Sequence, residues 1–474
     1  MSIAIGLGDL DPEGPSPDTR ESARIACLLD VIAGAIDQRS AQGIAVGVSS
    51  LIRHGVLLPG TRLPTVRHTA AALHVSATTV TDAWRRLARE GLVRSARRGG
   101  TIVLRPRTVA MQDRSRNASW AVDLRSHDFG NGTPDPDLLP RLQDAMRSVA
   151  ATAGVTSYSE PHTLPQLAEL VRARWSEALT VEEVILTDGA FDAMERLLRE
   201  RVRLGDRVLV EEPTQPTIID TVESFGAIPV PVRMDSDGLR PDDLQARLAL
   251  RPVALVLQPR AQNPTGISTT PERAAEVGRV LAGTSVLVIE DDHTSDVASS
   301  RRVSVAPWHP RLTVHVESFS KAYGPDLRLA AVGGPRDVLD AVQRRRSIGP
   351  GWSSRMLQQM LLHMLADPAT QATVARARAV YQQRRRALED ALAAVGLTST
   401  GTDGLNLWVQ VPSEHDALRR AAGADVSVNP GSPFRLEHDG RQFIRVTSAR
   451  IDEPQRLAQI LTGPDCVGHV PGPA

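Results

Sequence analysis

The sequence predicts an α/β protein in two parts: a small basic winged helix-turn-helix, then a large domain whose mostly parallel sheet is covered by helices on both faces. Three observations carry that prediction. The chain has 474 residues, too many for one small core, which favours two or three domains. Its positive charge is concentrated, since residues 51–107 hold eleven arginines against Asp82 and Glu90, a local net of +9 in a chain of formal net charge zero. Beyond residue 120, apolar β-rich runs alternate with helical stretches.

Bulk composition excludes several classes. Hydrophobic content of 41% and charged content of 23% are those of a globular chain, not a disordered one. The two cysteines, Cys27 and Cys466, stand near opposite ends without metal-ligand spacing or a disulfide framework, which suits a reducing compartment. The N-terminal stretch has no basic segment followed by an apolar core, and no apolar run is long enough to span a bilayer. A cytoplasmic location with no membrane partner is expected.

Residues 1–22 read as a disordered N-terminus and 23–104 as the DNA-binding domain. In LLPGTRLPTVRHTAAALHVSATTVTDAWRRLAREGLVRSARRGGTIV, residues 57–103, Thr65 can cap a short helix with Val66, Ala70 and Leu73 on one face. HVS makes the turn. Ser76 can cap a second helix in which Val80, Ala83, Trp84 and Leu87 form the apolar stripe. The opposite face carries Thr78, Thr79, Arg85 and Arg86, short polar groups and then arginines, which suits a major groove with phosphates beside it. LVRSARRGGTIVL reads as a hairpin with a basic tip, and a compact basic segment on an otherwise acidic chain is the footprint of a module for double-stranded DNA. Residues 105–120 lack apolar periodicity and read as a linker to a domain spanning 121–465.

In that domain VEEVILTDG runs into AFDAMERLLRERV, and DRVLVEEP, VALVLQP, SVLVIEDD and LTVHVESFS follow as strands, with TPERAAEVGRVLAG a helix opened by Pro271. Ligands of such sheets bind beyond the carboxyl ends of the strands, where the notable residues fall. Lys321 is the only lysine in the chain. Arginine stays protonated, whereas a lysine amine can lose its proton and form a Schiff base, so Lys321 is either the amine for an aldehyde cofactor or a remnant of arginine-biased codon usage. Pyridoxal 5'-phosphate needs four things: that amine, an acid for its ring nitrogen, a donor to its phenolic oxygen and a phosphate cradle. Asp291, Asn263 and the strand-to-helix turn at Gly189 and Ala190 supply the last three, with Ser318, Ser320 and Arg328 flanking the lysine to complete the cradle. Taken singly, Asp291 and Asn263 also suit ordinary turns.

Two resemblances follow. Residues 44–104 resemble the GntR-type regulators, which implies DNA contacts from Arg67, Ser76, Thr78, Thr79, Arg98 and Gly100; Ala77 stands where that family usually has arginine. Residues 123–462 resemble the fold-type I aminotransferases, the PLP-dependent transferase-like fold with a smaller C-terminal α+β subdomain. There DFGNGTPDPDLLP matches the opening segment, SYSEPHTLPQLAELV implies that Tyr158 reaches the phosphate in the neighbouring subunit of a homodimer, and FIRVTSARI implies that Arg445 binds a substrate or effector carboxylate. The chain departs from that family at Gln215, which replaces the aromatic over the cofactor ring, and at His293, which replaces a tyrosine and is expected to titrate near neutral pH. Asn406 stands at a position that is often histidine.

The two joined are the architecture of MocR-type regulators. The resemblance implies a transcription factor that holds pyridoxal phosphate as an aldimine at Lys321 and senses a pyridoxal species or an amine effector. A working aminotransferase carrying a DNA-binding appendage is the alternative. A third reading makes the large domain a vestigial dimerisation platform.

Overall fold

The computed structural model describes residues 17–36, 38–53, 56–58, 60–89, 92–96, 100–104, 127–152, 154 and 157–462. The chain divides into two compact units, Met1–Ala110 and Met111–Ala474. The expected linker and Arg98 lie outside the described residues, as do residues 1–16 of the expected N-terminal tail. A helix already spans Pro17–Gly34, so regular structure begins ahead of the expected domain start at residue 23.

In the first unit both expected caps form. The Thr65 hydroxyl accepts from the His68 N–H at 3.2 Å to open the helix Val66–Leu73, and Ser76 accepts from the Thr79 N–H at 3.1 Å to open Ala77–Arg89. Between them His74 takes a left-handed φ of 52°, and the N–H groups of His74 and Val75 turn back to the carbonyls of Ala71 and Ala70. Val80, Ala83, Trp84 and Leu87 are buried as the periodicity requires, in one core with Ile44, Val48 and Ile52 of the helix Ala41–Arg53. Three antiparallel strands make the wing, in the order β1–β3–β2: β1 (Arg62–Leu63), β2 (Val93–Ala96) and β3 (Gly100–Val103). The hairpin was legible; the two-residue β1 that flanks it was not.

Among the described residues, β4 (His127–Asp128) comes first in the second unit, ahead of its main sheet. Its strands are β5 (Glu183–Thr187), β6 (Arg207–Glu212), β7 (Ile228–Asp235), β8 (Gly238–Leu239), β9 (Ala254–Leu257), β10 (Leu287–Asp292), β11 (Thr313–Ser318) and β12 (Ala330–Gly334). Among the described residues the order is β5–β12–β11–β10–β9–β6–β7–β8. The centre is parallel, while β12 runs antiparallel to both neighbours and β8 antiparallel to β7. Every residue of β9, β10 and β11 is buried, because both faces are covered. Alternation divides them between two cores: Val256, Ile289 and Val314 pack on one face with the helix Ala190–Arg201, and Leu255, Leu257 and Val288 on the other with the helix Pro271–Leu281.

The α+β part expected at the C-terminal end is present. It is an antiparallel sheet β13–β14–β17–β16, formed by β13 (Thr398–Thr400), β14 (Asn406–Val411), β16 (Asn429–Pro430) and β17 (Gln442–Thr447), while β15 (Val426–Ser427) pairs in parallel with β4. Leu388, Leu407, Val409, Ile444 and Val446 form its core. Among the described residues, no helix is long and apolar enough to cross a membrane.

Because the two units have separate cores, damage to one should stay local. Leu87→Ala removes a fully buried side chain from the first unit and should cost about 2–5 kcal/mol there. Hydrogen exchange should quicken across residues 77–89 and stay unchanged in β10.

Candidate functional site

At the carboxyl ends of the parallel strands a cavity of about 330 Å³ opens, and ten of the residues singled out from sequence line it: Ala190, Gln215, Asn263, Asp291, His293, Ser318, Ser320, Lys321, Arg328 and Arg445. They come from six segments distant in sequence. The topology explains the convergence: β10 ends at Asp292 and β11 at Ser318, and the short helix Ser320–Tyr323 turns Lys321 in behind them.

Gly189 sits at the N-cap of the helix Ala190–Arg201 with φ of 104°. A Cβ there would lie 2.8 Å from Nη2 of Arg328, the movable end of a flexible side chain, so it is the backbone conformation that calls for glycine. Arg328 itself adopts a left-handed φ of 45° and donates to the Asp188 carbonyl at 3.3 Å. The first turn of that helix at Ala190 and Phe191, the side chain of Arg328 and two serines line the same cavity, a combination suited to a phosphate.

Asp291 lies deeper. Its Oδ2 accepts from Nε2 of Gln258 at 2.8 Å, and Oε1 of Gln258 accepts from the Asn263 N–H at 2.9 Å. Its Oδ1 is buried without a hydrogen-bond partner among the described residues. Burial raises its pKa to about 6, against the hydrogen bond from Gln258. An orphaned carboxylate oxygen costs about 1–3 kcal/mol unless a donor meets it, and a protonated pyridine nitrogen is such a donor.

Lys321 donates to the Gly132 carbonyl at 2.6 Å. Desolvation in the cavity wall, and then the charge of Arg445, bring its pKa from 10.5 down to about 8, while Asp291 opposes the shift. Arg445 is itself buried, its pKa lowered to about 10 by that burial. It donates to Oδ1 of Asn263 at 3.3 Å and to the Gly130 carbonyl. No carboxylate lies within ion-pair distance of it among the described residues, leaving a buried cation open to an anionic ligand. Asn406 also donates to Oδ1 of Asn263, at 3.4 Å. With two donors on its oxygen, the Asn263 amide keeps its NH2 end for the cavity, as a donor to a phenolic oxygen must.

His293 corrects the sequence reading. Burial and the nearby Lys321 drive its pKa down to about 3, so it is neutral throughout the physiological range and does not titrate near pH 7. Its Nε2 faces the Ala261 carbonyl at 3.0 Å and must carry the proton there, leaving Nδ1 an acceptor.

Tyr158 is not in this cavity. It is 88% exposed, edge-on to Trp352 with ring centroids 5.7 Å apart. Sequence reasoning also missed Asn131, Gly132, Thr133 and Phe191 in the lining. The segment holding the first three had been singled out, but Gly132 takes part through a backbone carbonyl, which no residue type announces.

In the first unit Arg67, Ser76, Thr78 and Gly100 are exposed and Thr79 is half-buried. The Ser76 hydroxyl also bonds those of Thr78 and Thr79, at 2.9 and 2.8 Å, so the helix start is a tight polar cluster. Gly100 begins β3 with φ of 72°.

Fold and site together define a class. The model of the aminotransferase class I and II family matches residues 126–459, and that of the gntR family of bacterial regulatory proteins matches residues 41–103. This chain belongs to the aminotransferase class I and II family, in the MocR architecture that puts a GntR module ahead of such a domain. It is 34% identical to the vitamin B6 salvage pathway transcriptional repressor PtsJ of Salmonella typhimurium, over 81% of this chain and 88% of that one. With the HTH-type transcriptional regulator TauR of Rhodobacter capsulatus it shares 27% identity, over 90% and 96% of the two. Among solved structures, an alpha-aminoadipate aminotransferase from Thermus thermophilus, complexed with N-(5'-phosphopyridoxyl)-L-leucine, superposes with a TM-score of 0.63 at 26% identity, over 71% of this chain and 92% of that one.

The lysine's lowered pKa is directly testable. Reductive trapping of a small aldehyde on Lys321, read by peptide mass spectrometry, should rise through a midpoint near pH 8. In Arg445→Gln the midpoint should move upward, because the like charge that disfavours the ammonium is gone.

Proposed function

We propose that this protein is a DNA-binding transcriptional regulator that holds pyridoxal 5'-phosphate at Lys321 and uses the loaded site to sense a pyridoxal species or a small amine carrying a carboxylate. The observation that carries the reading is the convergence of the chain's sole lysine, the partnerless Oδ1 of Asp291 and the unpaired cation of Arg445 in one cavity, on a chain that also carries a GntR module.

Bound there, the cofactor would supply an aldehyde for amines and an electron-withdrawing ring. Each residue then has a task. Lys321 provides the amine, which its lowered pKa makes available as a nucleophile. Asp291 keeps the ring nitrogen protonated, and Asn263 donates to the phenolic oxygen. Ala190, Gly189, Ser318, Ser320 and Arg328 cradle the phosphate, Tyr158 of the partner subunit completing it in a homodimer. Arg445 takes the effector's carboxylate. Gln215, in the cavity lining, would offer the ring an amide in place of an aromatic face, and His293 would be a neutral neighbour. In the first unit Arg67, Ser76, Thr78, Thr79, Arg98 and Gly100 contact DNA, and the location is cytoplasmic.

The retained Lys321, Asp291 and Arg445 also permit an active aminotransferase, so the decisive experiment separates response from turnover. Lys321→Arg keeps the charge but cannot bond covalently to the aldehyde, so the visible absorption band of the lysine-bound cofactor should vanish. Basal operator binding should persist and its change on adding cofactor or effector should be lost. Turnover of an amino donor by wild type, with no ligand-dependent change in DNA binding, would favour the enzyme.

DNA affinity should fall steeply with salt as the basic module releases counterions, and Arg67→Ala should both weaken binding and flatten the slope by about one unit. In sedimentation the protein should run as a dimer at micromolar concentration. A monomer would remove the role given to Tyr158.

A further inference from the structure

We propose that Asp188, Arg346 and Ser353 are positioning residues for the phosphate cradle, setting the cofactor's affinity through its phosphate without touching it; the assignment rests on the pyridoxal phosphate reading of the cavity.

Asp188 is the residue just before Gly189, between β5 and the helix whose first turn forms the cradle. All of its polar groups are engaged. Its N–H donates to Oδ2 of Asp192 at 3.1 Å, and its carbonyl accepts from Nη2 of Arg328 at 3.3 Å. Its carboxylate accepts from Nη2 of Arg346 at 2.9 Å and from the Ser353 hydroxyl at 2.6 Å. Arg346 also donates to the Ser353 oxygen at 2.8 Å, which closes a three-residue ring.

Arg346 ends a helix on a different segment, and only 1% of its side chain is exposed. A guanidinium so buried persists only where carboxylate and carbonyl partners replace water; here they are Asp188 and the carbonyl of Leu186 in β5. The Asp188 side chain is 46% exposed, and an ordinary ion pair between a buried guanidinium and a half-exposed carboxylate would explain that much. What points further is the link next door: the Asp188 carbonyl accepts from Nη2 of Arg328, and that guanidinium lies against Gly189. If the Asp188 side chain loses its hold, the turn and Arg328 move together, and both belong to the cradle. The segment that brings Ser353 to Asp188 also carries Trp352, which contacts exposed Tyr158. Gln358 fastens it by donating to the carbonyls of Ser353 and His162, both at 2.9 Å. The ring thus braces the protein's own cradle and the segment that would offer Tyr158 to a second subunit.

Pyridoxal phosphate and pyridoxal, which lacks the phosphate, tell this role from a general structural one. Both are titrated against full-length wild type, Asp188→Asn and Ser353→Ala by the visible band, with apo-protein melting temperature as the check on folding. Losing one such hydrogen bond should weaken pyridoxal phosphate binding about tenfold and leave pyridoxal binding unchanged, so the preference for the phosphorylated form drops by the same factor. Arg344→Ala, exposed on the same helix, should change neither. If both ligands weaken equally, or neither does, the positioning role is overturned while the cofactor reading stands. If wild type itself binds neither or shows no preference for the phosphate, the cradle reading falls and this inference with it. Should Asp188→Asn fail to fold, the milder Ser353→Ala decides alone.

Discussion

Four carboxylates, Glu290, Asp291, Asp292 and Glu317, are buried at the carboxyl ends of β10 and β11, and the rest of the site depends on how they are held. In parallel register Glu290 stands opposite His315, Asp291 opposite Val316 and Asp292 opposite Glu317. Side chains alternate along a strand, so Glu290, Asp292, His315 and Glu317 share one face and Asp291 points to the other. On the first face compensation is dense. Arg260 and Arg302 reach Asp292, and Arg302 binds Glu317 at 2.9 Å. Trp175 and Ser295 each donate to Glu317 at 2.6 Å. Burial alone would push Asp292 and Glu317 upward, but the arginines win and hold both below the usual carboxylate range.

Asp291 faces away from all of this. It has an amide for company and, among the described residues, no ion pair, and burial raises its pKa to about 6 although Gln258 and Lys321 oppose the shift. Removing Arg302 would leave Asp292 to Arg260 and Glu317 to Arg174 at 3.5 Å, thinning the compensation of two buried charges at once. The network therefore makes a charge-compensated floor on one face of the sheet, and that floor braces the two strand ends from which Asp291, Ser318 and Lys321 reach the cavity on the other. Stability and site chemistry are divided between the two faces by a period of two.

Much of this was legible in the sequence because it depends on local pattern. Apolar runs such as VALVLQP and SVLVIEDD mark buried strands directly, and Thr65, Ser76 and Pro271 announce helix starts through chemistry confined to one turn. β12 was not legible: AAVGG is short and made of small residues, and it is a strand only because β5 and β11 pair with it on both sides. The arginine network escaped for a different reason. Arg174 and Asp296 are 122 positions apart, and in a chain where arginine is the near-universal base, no pattern says which one turns inward. The misjudged His293 belongs to the same class. Its ordinary pKa is a property of the residue, but the value of about 3 is a property of burial beside Lys321.

That argument also separates the chain's one lysine from the arginine beside it. Lys321 and Arg445 line the same cavity, and desolvation lowers both. The outcome differs because they start from different values. With a pKa of about 8, Lys321 has a substantial neutral fraction near neutral pH, whereas Arg445, lowered only to about 10, stays almost wholly charged. The same environment thus yields one base that can give up its proton and one cation that cannot, and the charge of the second helps deprotonate the first. Exchanging either residue for the other would collapse the distinction: two arginines would leave no amine able to lose its proton, and two lysines would leave the proposed carboxylate ligand without a dependable cation.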